Sequence, residues 1–183
     1  MIRTPVVTVV IAALVFAAAQ LALAESLASY PETRTLPVRT TSSRLAGLIR
    51  DGVRFSPTFQ TLADRLCRSD LIVYVDVEHF PPHGLEGRLT FVGSAPGARY
   101  VRIRVASVPD AARQIAIIGH ELQHAVEIAD HPAIVDEQSL GREYARIGYS
   151  GNAFVPHTQT FDTEAAIKAG KRVLQELTAG NSY

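Results

Sequence analysis

Disulfide chemistry cannot stabilise this chain. Its 183 residues include a single cysteine, Cys67, so no intramolecular bridge can form and apolar packing must hold the fold. Cys67 sits beside Leu62 and Leu66 in an apolar helical pattern. That context reads as a buried structural thiol rather than one that plugs a site. Excess charge is also lacking: Lys and Arg total 18, and Asp and Glu total 18. Without a basic run there is no electrostatic footprint for nucleic acid, and no polybasic cluster for anionic membranes. Internal repeats are absent. The composition, 47% apolar and 20% charged, supports a globular core rather than disorder.

One long apolar run stands apart from that core. Residues 6–19 are apolar except for Thr8, Arg3 precedes them, and Gln20 ends them. Ala22-Leu23-Ala24 then offers small residues where a signal peptidase reads. Residues 1–24 therefore read as a secretory signal cleaved after Ala24, leaving a periplasmic or secreted domain with no membrane attachment. Uncleaved, residues 6–24 are just long enough to serve as an N-terminal anchor. Cleavage removes Arg3 and no acid, for a net charge of −1. Residues 25–41, rich in Ser, Thr, Pro and charge, read as a linker, and residues 42–183 as a single domain.

Within that domain, residues 42–50 and 57–68 carry helical patterns. Ser56 suits an N-cap and Pro57 the first helical position. Leu71 to Glu78 is β-branched and aromatic and reads as a strand, interior at its start because Ile72 and Tyr74 make both faces apolar. Residues 79–84 form a loop by their prolines and glycine. Residues 88–93 and 99–106 read as a hairpin whose Pro96-Gly97 turn needs a positive φ at the glycine. Arg102 and Arg104 face solvent on its second arm, opposite Val101, Ile103 and Val105. Ser107 can cap a following helix, with Asp110 returning the bond, and that helix should run to about Asp130 because His131 precedes Pro132. Further helices are expected near 135–147 and 162–178, with loop over 149–161. Strands first and helices after point to an α+β fold: a small mixed or antiparallel sheet with helices packed on one side.

The long helix carries His120-Glu121-Leu122-Gln123-His124. Residues i and i+4 lie one turn apart on one face, so both imidazoles can reach one metal ion. Neutral imidazole suits zinc, and three protein ligands plus an open position make a catalytic site. Glu121 projects beside such an ion rather than onto it, placed to move a proton as a general base. The flanking residues Ile115, Ile117, Ile118, Ala125, Val126 and Ile128 are those of a buried helix, where two unpaired histidines would be costly.

This stretch, Gly-His-Glu-Leu-Gln-His-Ala, resembles the active-site helix of the zincin metallopeptidases. The resemblance implies a Zn2+ ion held by His120 and His124, Glu121 as catalytic base, and a peptide or protein substrate paired along an edge strand, here an arm of the 88–106 hairpin. It also implies a third ligand further along. The chain lacks the glycine and third histidine that follow the motif in the metzincin branch, His131 falling one position late. A carboxylate is therefore expected, and three compete. Asp162 falls on the apolar stripe of the last helix with Ala166, Ala169, Val173 and Leu177, and so points inward; its competing role is an N-cap. Glu164 falls on the polar side with Lys168 and Lys171. Glu143 lies 19 residues after His124, close to the spacing of thermolysin-like enzymes, among Arg142 and Arg146. Asp162 is the choice. Glu127 could orient a ligand from behind, and Tyr149 or His157 could donate to a developing oxyanion. Alternatives to a peptidase are a cell-wall amidase and a non-catalytic metal- or partner-binding module.

Overall fold

A computed structural model describes residues 36–81, 85–147, 149–150 and 161–179. The expected signal over residues 1–24 lies outside them, as does His157. Among the described residues, no helix is long and apolar enough to cross a membrane.

The first element is a short strand, β1 (Val38–Arg39), followed by helices α1 (Ser43–Phe55) and α2 (Pro57–Cys67). Strands β2 (Leu71–Glu78), β3 (Gly87–Ala95) and β4 (Ala98–Ala106) come next. The long helix α3 (Ala111–Asp130) and α4 (Glu137–Ile147) follow. A two-stranded ladder, β5 (Tyr149–Ser150) with β6 (Phe161–Asp162), then leads into α5 (Glu164–Ala179). The main sheet has the order β1-β2-β4-β3. β2 is parallel to both β1 and β4, while β3 is antiparallel to β4. The fold is α+β with a mixed sheet.

Side-chain alternation builds the core. Val73, Val101 and Phe91 form one row across the sheet, and Val75, Ile103 and Leu89 the next. Against these rows pack Leu45, Leu48 and Ile49 of α1, Phe59, Leu62 and Leu66 of α2, and Ile115, Ile118 and Leu122 of α3. The opposite face carries the expected arginines in ion pairs. Arg88 reaches Glu78 at 2.7 Å, and Arg102 and Arg104 lie 3.5 Å from Asp76 and Glu78.

Several boundaries move. The stretch read as linker contributes to the sheet: Val38 is buried, and Pro37 carbonyl accepts from Val73 N–H at 2.9 Å. The apolar Leu36-Pro37-Val38 anchor, short within polar surroundings, is what recruits it. Helix α1 runs on to Phe55, and Ser56 caps α2 as expected, accepting from Phe59 N–H at 3.1 Å. The hairpin arms extend to Ala95 and Ala98, with Gly97 at φ 82° in the turn. Ser107 does not cap α3. Asp110 does, accepting from the amides of Ala112 (2.9 Å) and Arg113 (3.3 Å), and Ser107 instead receives a bond from Arg44. An aspartate is as good a cap as a serine, and it lies directly against the first residue free of proline's constraint. Cys67 is half-buried rather than fully enclosed.

The far end of α3 is closed by a residue the sequence reading did not single out. Arg99, at the start of β4 and 4% exposed, donates to the carbonyls of Ile128, Ala129, His131 and Ile134. It also pairs with Asp70 through two bonds of 2.7 and 2.8 Å. A helix end leaves carbonyls without partners, and here one guanidinium collects them. Its strand context, beside two outward arginines, hid this role.

Candidate metal centre

Helix α3 has its apolar stripe against the sheet, and this sets the direction of His120 and His124 one turn apart on its rim. His124 is the deeper, its side chain 8% exposed, and His120 is 25% exposed. Asp162 approaches from the chain's end. Its Oδ1 lies 3.5 Å from His120 Nε2 and 3.7 Å from His124 Nε2. One ligand atom from each of the three residues lies within 4.8 Å of the others. A tetrahedral zinc with bonds of about 2.0–2.1 Å needs ligand atoms roughly 3.4 Å apart. The donor set, two imidazoles and a carboxylate, and its spacing therefore fit such an ion with small adjustments.

Asp162 reaches this position by a different route from the helical stripe expected of it. It lies in β6, paired across the ladder with Tyr149, and α5 begins only at Glu164. The cap of α5 is Thr163, whose Oγ1 accepts from Ala166 N–H at 3.1 Å. With the adjacent threonine capping, the Asp162 carboxylate faces the histidines from extended backbone. Behind it, α3 and α5 cross closely. A Cβ on Gly170 would meet His120 Cβ at 3.2 Å and Ala116 carbonyl oxygen at 3.3 Å.

The two rival carboxylates are engaged elsewhere. Glu164 pairs with Lys168 on the exposed side of α5. Glu143 pairs with Arg146 and lies 3.4 Å from His131. Tyr149 contributes backbone to the β5–β6 ladder.

Glu121 is 5% exposed beside the first residue of β3. Burial pushes its carboxyl up to about 7, although the charge of His124 pulls the other way. A carboxylate near neutral pH is suited to accept a proton and give it back. β3 is one edge of the sheet and β4 is interior, so among the described residues the first arm of the hairpin, not the second, has a side without a strand partner, and its first residue lies beside Glu121.

The two histidines are shifted in opposite directions. Burial, followed by the charge on His124, holds His120 below the ordinary imidazole range, leaving it neutral. Burial works against charge on His124 too, but the Glu127 hydrogen bond and the charges of Glu121, Glu127 and Asp162 outweigh it and raise its pKa. His124 Nδ1 lies 2.9 Å from Glu127 Oε2. Burial likewise opposes charge on Glu127, yet its bonds to His124, Thr163 and Gln123 leave it below the usual carboxylate range. Tyr144 completes this cluster. Its hydroxyl donates to Glu127 Oε2 at 3.2 Å and lies 3.1 Å from His124 Nδ1. Nothing in the sequence spacing marks Tyr144 as a partner of His124. Its phenol sits on the Nδ1 side of the ring, away from the Nε2 that meets Asp162.

Compared with protein-family models, with curated proteins and with solved structures, the chain matches none.

Proposed function

We propose that this protein is a zinc-dependent hydrolase, most simply a metallopeptidase, with His120, His124 and Asp162 holding the ion and Glu121 as general base. The observation that carries the reading is the meeting of those three ligand atoms within 4.8 Å, from a helix and a distant strand, beside a buried carboxylate. Bound there, zinc would polarise a scissile carbonyl and lower the pKa of a water molecule. Glu121, held near neutrality, takes the proton from the attacking water and returns it to the leaving amine. A peptide would lie along the free edge of β3, its backbone paired as an added strand. The apolar run within residues 1–24 supports export, with the enzyme working in the periplasm or outside the cell.

The test is metal content beside turnover. The chain from Glu25 onward should bind one zinc per molecule and cleave peptides. Glu121→Gln should keep the zinc and lose turnover. Asp162→Ala should weaken zinc by more than about 100-fold, beyond the usual effect of losing a supporting residue. Glu164→Ala and Glu143→Ala should leave it unchanged. Zinc held without any hydrolysis dependent on Glu121 would make this a non-catalytic module. Activity on peptidoglycan fragments alone would make it an amidase.

A further inference from the structure

We propose that Glu127 is a positioning residue for two of the three ligands at once: His124 directly, and Asp162 through Thr163. The inference rests on the zinc reading above and concerns how the site is assembled. His124 lies on α3, while Asp162 arrives from β6. Among the described residues no hydrogen bond joins His124 to Asp162; Glu127 links them, meeting His124 directly and Asp162 only through Thr163.

The two oxygens of this carboxylate divide the task. Oε2 faces His124 Nδ1 at 2.9 Å. An ionised carboxylate only accepts, so Nδ1 must carry the proton, and Nε2 is left with its lone pair directed towards Asp162. Oε1 accepts from Thr163 Oγ1 at 2.7 Å. Thr163 follows Asp162 directly, and its N–H donates to Asp162 Oδ1 at 2.8 Å. The same threonine hydroxyl accepts from Ala166 N–H at the start of α5. Donor and acceptor capacity of that hydroxyl are thus both used, one towards α3 and one towards α5. Tyr144 adds a further bond to Oε2 from α4. Three segments meet on Glu127, which lies one turn beyond His124 with its side chain 13% exposed.

Glutamine at this position keeps the shape but changes the hydrogen-bond logic. Its amide nitrogen facing His124 would donate, placing the histidine proton on Nε2, where a metal must bind. Its amide nitrogen facing Thr163 would reverse that bond, the threonine hydroxyl accepting instead of donating. Either orientation alters one of the two links, and both remove the charge that faces His124.

The experiment measures zinc affinity by competition with a chromophoric chelator, alongside thermal unfolding of the metal-free chain. The parent is compared with Glu127→Gln, Thr163→Val and Thr163→Ser. Glu127→Gln is expected to weaken zinc by about 10–100-fold, the range for a residue that orients a ligand, with no matching fall in metal-free unfolding temperature. Thr163→Val is expected to weaken zinc as well, and Thr163→Ser, which keeps the hydroxyl, to restore it. Parental affinity in Glu127→Gln overturns the proposal. So does a loss in either variant that only tracks metal-free stability, or a serine variant as weak as the valine. A parent that binds no zinc overturns the hydrolase reading, and this proposal with it. A parent that binds zinc tightly beside unaffected variants overturns this proposal alone.

Discussion

Gly87 lies directly against Glu121: a Cβ built on the glycine would fall 2.5 Å from Glu121 Oε1 and 3.0 Å from Ile117 Cγ2. The first residue of the edge strand and the proposed base are thus in contact with no room for a side chain between them. The strand proposed to pair with a substrate is also the wall against the proposed base. Gly87→Ala should displace the Glu121 carboxylate while leaving the metal ligands in place. An atom-scale misplacement of a reacting group costs on the order of 100-fold in rate. The expected result is that loss in kcat with zinc content unchanged. A Gly87→Ala enzyme with full activity would show that the carboxylate is not fixed there.

The raised pKa of Glu121 has a consequence for stability. Its carboxyl titrates at about 7 in the folded, metal-free chain, against an ordinary value of 4.5. The folded state therefore binds the proton more tightly than the unfolded state. Stability from this group is complete below about pH 4.5 and is lost as pH rises through 7. Glu121→Gln removes the titration. Between pH 4 and pH 8 the glutamine variant should gain on the parent by about 3 kcal/mol, from roughly 1.4 kcal/mol per pKa unit. Urea unfolding of both metal-free proteins across that range checks this. Stability curves that run parallel with pH would show that Glu121 is ordinarily solvated.

Arg99 gathers the last carbonyls of α3, and Asp70 holds the guanidinium in place from the start of β2. Burial makes the loss of such donors expensive, because each carbonyl left without a partner costs about 1–3 kcal/mol. Asp70 itself is 44% exposed on its side chain, so the ion pair contributes less than the carbonyl bonds. Arg99→Met should lower stability by about 2–4 kcal/mol. The zinc affinity of the folded fraction should be unchanged, since the ligands lie further back along the helix. Chemical denaturation monitored by circular dichroism measures the first quantity, and a parental midpoint would remove Arg99 from the account.

Local pattern carried much of this protein. The alternation Leu71, Val73, Val75 and the matching Val101, Ile103, Val105 determined which sheet face is buried, because successive side chains on a strand must point oppositely. Pro96-Gly97 determined the turn. The i, i+4 spacing of His120 and His124 determined that two imidazoles share one face of α3, and the apolar residues around them determined that the helix is buried. Each of these follows from backbone geometry within a few residues.

What lay beyond sequence was decided by contacts across the fold. Which of Asp162, Glu143 and Glu164 meets the two histidines is decided by which segment folds back onto α3; all three are carboxylates at plausible separations, and the β5–β6 ladder with the cap at Thr163 brings Asp162 there. The helical argument selected Asp162, but the residue arrives in extended backbone, because the threonine beside it takes the cap. Glu127 was visible as a neighbour of His124, while its bonds to Thr163 and Tyr144 were not, since hydrogen bonds between distant segments leave no periodic trace. The same holds for Gly87 against Glu121 and for Arg99 at the end of α3. A sequence records which groups a chain can offer; which of them meet is set by the packing of α3 against the sheet, α4 and α5.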